Sequence, residues 1–64
     1  MATELLKQLI AVRKNGLEIQ HILNPSEKVQ LEAVIQNPNA LSLIENPTKK
    51  VQLEAVKRNL RLIM

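Results

Sequence analysis

Apolar residues recur along the chain in two alternating strokes. The longer stroke carries helical spacing, as in Val29, Leu31, Ala33, Val34 and Ile35, with a looser version at Leu9, Ala11 and Val12; the shorter carries Ile19 and Ile22, then Leu41 and Ile44. Breaks separate the strokes at Asn15-Gly16, Asn24-Pro25, Asn37-Pro38 and Asn46-Pro47, with a lone Asn59 after them, at spacings of 9, 13, 9 and 13 residues. The pattern predicts long helices near residues 3–14, 25–36 and 47–58, alternating with short, partly 3₁₀ helices near 17–23, 39–45 and 60–63. Helices this short are marginal alone, so packing between neighbours must hold them.

The two strokes together form a 22-residue unit, and the hexapeptide VQLEAV stands at the same place in two of them. The units run 2–23, 24–45 and 46–64. The first is degenerate but in register, with Gln8, Leu9, Ala11, Val12 and Asn15 falling on Gln30, Leu31, Ala33, Val34 and Asn37; the third is three residues short. A period of this length is the mark of stacked repeat architectures. The expected fold is one all-α domain over residues 1–64, a small right-handed α-solenoid-like stack of alternating long and short helices.

Each Asn-Pro has a local physical reading. The residue before a proline is pushed out of the α region, so it stops the helix behind it. Asn24, Asn37 and Asn46 are then expected to cap the next helix, with proline at the first helical position and, after Asn24, Glu27 reaching back as in a capping box. On a helical wheel VQLEAV spans a wide apolar arc, and its core-facing surface is expected to meet neighbours on several sides. Gln30 interrupts that arc, as do Gln8 and Gln52. Each amide either bonds a backbone group at a joint or lines a binding face; the first is favoured, because an unpartnered buried polar group is costly.

Composition narrows the chemistry. There is no cysteine, no aromatic residue and no aspartate, and His21 is the only histidine. A small core therefore depends on aliphatic packing or association rather than disulfides or a metal. His21, at a position that varies between units, reads as a surface residue. The hydroxyls are Thr3, Ser26, Ser42 and Thr48, with Ser26 and Thr48 at equivalent helix starts; the carboxylates are all glutamates, and Gly16 is the one glycine. No nucleophile-and-base set and no phosphate loop emerges, so the expectation is a protein that is not an enzyme and needs no cofactor. No stretch has the length of a membrane span or the look of a signal peptide, which points to the cytoplasm.

Candidate binding residues lie where the units differ. Leu6 and Ile10 stand where the later units carry Lys28 or Lys50 and Glu32 or Glu54, and Ile35 extends their stripe. Leu60, Leu62, Ile63 and Met64 make an apolar end on the last unit. Terminal units of such stacks normally have polar outer faces, so these residues are the expected protein interface, with a homo-oligomer, first a symmetric dimer, as the expected assembly; the alternative is that the first helix folds over and buries Leu6 and Ile10 within the single chain. Nine Lys and Arg against six Glu give a net charge of +3. Arg13, Lys14, Lys57, Arg58 and Arg61 could form an edge for an anion or an acidic partner, or could simply complement helix C-termini. Without aromatics to stack on bases, nucleic acid is the less favoured partner.

The residues Asn24-Pro25, Val29 to Val34, Asn37-Pro38 and Asn46-Pro47 resemble the short HEAT-like and leucine-rich-variant helical repeats found in tandem in bacteriophage and large-virus proteins. The resemblance covers residues 15 to 64 and implies a non-enzymatic scaffold that binds another protein, with no binding residues to carry over. It suggests a phage-encoded inhibitor of a host or defence protein, acting in the host cytoplasm. The alternatives are a nucleic-acid-associated accessory protein and a purely structural self-assembling scaffold.

Overall fold

In a computed structural model of the protein, the backbone is described for residues 2–63 and the side chains for residues 4–59. Five helices follow one another: α1 (Ala2–Lys14), the 3₁₀ helix η1 (Gly16–His21), α2 (Glu27–Gln36), the 3₁₀ helix η2 (Pro38–Leu43) and α3 (Lys49–Ile63). Among the described residues there is no strand. η1 and η2 begin at residues 16 and 38, and α2 and α3 at 27 and 49, the same 22-residue offset that the sequence shows.

Asn15 and Asn37 end α1 and α2, and Asn37 caps the next helix as the sequence predicts, whereas η1 and η2 end at Ile22 and Ile44, before Asn24 and Asn46 are reached. Asn15 and Asn37 adopt extended backbone, and each accepts the first hydrogen bond of a 3₁₀ helix through Oδ1: Leu17 N–H donates to Asn15 and Asn39 N–H to Asn37, both at 3.0 Å. Asn24 and Asn46 do not cap the long helices. That role falls two residues later to hydroxyls, with Val29 N–H donating to Ser26 Oγ at 3.4 Å and Val51 N–H to Thr48 Oγ1 at 3.3 Å. Asn24 instead turns the chain at φ 50°, in the left-handed region that asparagine tolerates better than most residues. With Ser26 as the cap, Glu27 is the first helical residue, so the expected capping box does not form.

The expected short helix at 60–63 is absent. Asn15 and Asn37 are followed by glycine and proline, whereas Asn59 is followed by Leu60, which has full helical capacity, and α3 runs on through Asn59 to Ile63.

Helix α2 is central. It packs on α1, η1, η2 and α3; the two 3₁₀ helices pack on each other; and α1 and α3 touch α2 but not each other. The molecule measures 41 × 21 × 16 Å, thin enough that the core is one side chain deep: Leu9, Val12, Ile19, Val29, Ala33, Val34, Ala40, Ile44, Val51 and Ala55. Leu41 and Ile22 are only partly buried against it, and Ile63 lies outside the described side chains. Gly16 is required where η1 meets the end of α2. A Cβ there would lie 2.5 Å from the Ala33 carbonyl oxygen, and its N–H donates to Gln36 Oε1 at 2.7 Å.

Candidate functional site

The two copies of VQLEAV have different surroundings. In α2 the inner residues Val29 and Ala33 are fully buried, and so is Val34; Gln30 is 6% exposed and Leu31 partly buried. In α3 the inner residues Val51 and Ala55 are again fully buried, but Gln52 is exposed, Leu53 is 63% exposed and Val56 52%. The wheel reading put the valines, leucine and alanine of VQLEAV on the core-facing arc, and for Leu53 and Val56 of the second copy the structure corrects it. Among the described residues α3 packs on α2 and η2, whereas α2 packs on α1, η1, η2 and α3.

The glutamines behave as joint fasteners. Gln30 Nε2 donates to the Pro25 carbonyl at 2.9 Å, and Gln52 Nε2 to the Pro47 carbonyl at 3.0 Å. Gln8 has no Asn-Pro before it and no counterpart bond among the described residues. Gln30 Oε1, buried beside a recess formed by Ile19, Ile22, Pro25 and Ile44, accepts no bond from the protein.

At the other flank, Leu6 is 57% exposed and Ile10 46%, and Ile35 on α2 is 42% exposed. Leu6 and Ile10 are therefore not folded back against the rest of the chain. A shallow recess beside them is lined by Lys7, Ile10, Ala11, Lys14, Asn15 and Glu18. Lys7 occupies the position of the buried Val29 and Val51, and it is exposed. The candidate residues Leu60, Leu62, Ile63 and Met64, and Arg61 of the basic set, lie outside the described side chains.

Among the described residues the basic side chains do not converge. Arg13 on α1 bridges to Glu32 on α2, Nε to Oε2 at 3.3 Å and Nη2 to Oε1 at 3.5 Å, while Arg58 bonds Glu54 within α3 at 3.3 Å. Lys14 and Lys57 are exposed on helices that do not touch. Because α3 continues to Ile63, Lys57 and Arg58 do not stand at a helix C-terminus as expected.

The hydroxyls are engaged in local structure: Ser26 and Thr48 cap helices, and Ser42 Oγ donates to the Asn39 carbonyl at 2.9 Å. His21 is exposed, its Nε2 3.5 Å from Glu18 Oε2. Among the described residues, no three of His, Asp and Glu gather where a metal could sit, and no helix is long and apolar enough to cross a membrane. No family model, curated protein or solved structure matches the chain.

Proposed function

We propose that this chain is a non-enzymatic protein-association module: a minimal α-solenoid of 22-residue units that acts by burying its two apolar flanks against protein surfaces. The observation that carries this reading is the exposed outer half of the second VQLEAV, where Leu53 and Val56 face solvent in a sequence that is buried in α2. The alternation of α and 3₁₀ helices at a 22-residue offset supports the stacked arrangement, and the exposed Leu6, Ile10 and Ile35 supply the second flank. A basic edge for anions is less favoured, because Arg13 and Arg58 are drawn into ion pairs with Glu32 and Glu54.

Apolar association persists as salt rises, whereas phosphate binding falls steeply. Light scattering on a concentration series at low and high salt is expected to give particles heavier than the 7.3 kDa chain under both conditions. A mass of 7.3 kDa at every concentration would refute the reading.

A further inference from the structure

We propose that Asn15 is a site of spontaneous deamidation, and that Gln36, reaching over from α2, holds the reaction in check while the chain is folded. The residues that follow the asparagines are Gly16, Pro25, Pro38, Ala40, Pro47 and Leu60. Deamidation needs a backbone N–H on the following residue. Its nitrogen loses the proton and attacks the side-chain Cγ, ammonia leaves, and a cyclic succinimide forms. Water then opens the ring at either carbonyl to give aspartate or isoaspartate, so water enters, ammonia departs and nothing is oxidised or reduced. Proline has no N–H, which closes this route at Asn24, Asn37 and Asn46. Glycine has no side chain to hinder the attack and the widest backbone freedom to reach it, so Asn15-Gly16 is the reactive joint.

In the folded chain both reacting groups are occupied. Gly16 N–H donates to Gln36 Oε1 at 2.7 Å, and Asn15 Oδ1 accepts from Leu17 N–H at 3.0 Å. Gly16 is buried, and the space where a Cβ would stand is filled by the Ala33 carbonyl oxygen, Asn37 Cβ and Gln36 Oε1. The repeat supplies a control. Gly16 falls at the register of Pro38, and Gln36 at the register of Arg58. The unit after the glycine, which has an N–H, offers an acceptor; the unit after the proline, which has none, offers a side chain with donors only.

Reaction therefore waits on local opening of the joint between η1 and α2, because the Gly16 nitrogen must leave Gln36 before it can attack. Its product appears beside the apolar flank of α1. Asn15 lines the recess with Lys7, Ile10 and Lys14, and a carboxylate there lowers the net charge of +3 by one.

Incubation at neutral pH and a single dilution, followed by peptide mapping for aspartate and isoaspartate at position 15, tests this. The folded wild-type chain is expected to convert at least about tenfold more slowly than the same chain in urea. Gln36→Leu should convert about fivefold faster than wild type, the effect of one lost hydrogen bond on the opening equilibrium. Gln36→Glu keeps an acceptor and should keep the wild-type rate. Gln36 is exposed, so helicity by circular dichroism should be retained in both variants. Conversion in urea that spared Asn15 would overturn the proposal, as would equal rates for the folded and urea-treated wild-type chain. An unchanged rate in a helical Gln36→Leu would refute the role of Gln36. If Gln36→Leu lost helicity, a helical Gln36→Glu that converted as fast as the chain in urea would refute it equally.

Discussion

Val34 and Val56 are the same residue, in the same hexapeptide, on helices that start 22 residues apart, yet Val34 is fully buried and Val56 is 52% exposed. Truncating each to alanine measures what the neighbouring unit contributes. Val34→Ala removes two buried methyl groups, about 1.6 kcal/mol of transfer free energy. Incomplete collapse of the resulting cavity adds on the order of 1 kcal/mol. The better helix propensity of alanine returns roughly 0.5 kcal/mol, leaving a net loss of about 2 kcal/mol. For Val56→Ala the transfer loss is about half as large, no cavity forms, and the same propensity gain nearly cancels it, for a net loss of about 0.3 kcal/mol. A domain of this size has a total stability of about 3–10 kcal/mol. At about 4–8 °C per kcal/mol, Val34→Ala should lower Tm by about 8–16 °C, and Val56→Ala by no more than about 3 °C. The melts belong at a dilution where the chain is monomeric; under the proposed association through this face, the Val56→Ala deficit should grow with concentration. Equal Tm shifts for the two variants at dilution would refute the unequal burial on which the proposed function rests.

Two further substitutions test the joints. Gly16 has no positive φ to relieve, so Gly16→Ala is opposed only by the 2.5 Å approach to the Ala33 carbonyl; overpacking of about 1–3 kcal/mol should outweigh the 0.4–1 kcal/mol or so gained from a stiffer unfolded chain. An unchanged or raised Tm would mean that η1 does not sit against the end of α2. Gln30→Ala should cost about 1–3 kcal/mol in urea unfolding and Gln52→Ala about 1 kcal/mol or less, since nearly equal bonds to Pro25 and Pro47 are buried in the first case and exposed in the second; the reverse order would contradict the assigned burial.

The helices were legible in the sequence because Asn-Pro and Asn-Gly act through local sterics, and local sterics survive any packing. Capping was less legible. Asparagine, serine and threonine compete for it within three residues, and the choice depended on Asn24 taking a left-handed turn, which left Ser26 to cap α2. The Arg13–Glu32 pair joins residues 19 apart on different helices, a contact that no single-helix wheel contains. The exposed Leu6 and Ile10 were readable because they replace charged residues at register positions. Leu53 and Val56 were not, because their residue types match the buried copy and only the missing neighbours distinguish them.

One substitution in the punctuation has the widest consequences. After Asn15 and Asn37, glycine and proline send the backbone into 3₁₀ helices that pack on each other and on α2. After Asn59, leucine lets α3 reach 15 residues, against 10 for α2. A third 3₁₀ helix at that point would have prepared the chain to receive another unit, with the outer half of VQLEAV ready to be covered as it is in α2. α3 continues instead, and Leu53 and Val56 stand exposed on it. The residue that ends the repetition thus leaves the outer half of the second VQLEAV exposed, and that exposed face is the one on which the proposed association rests.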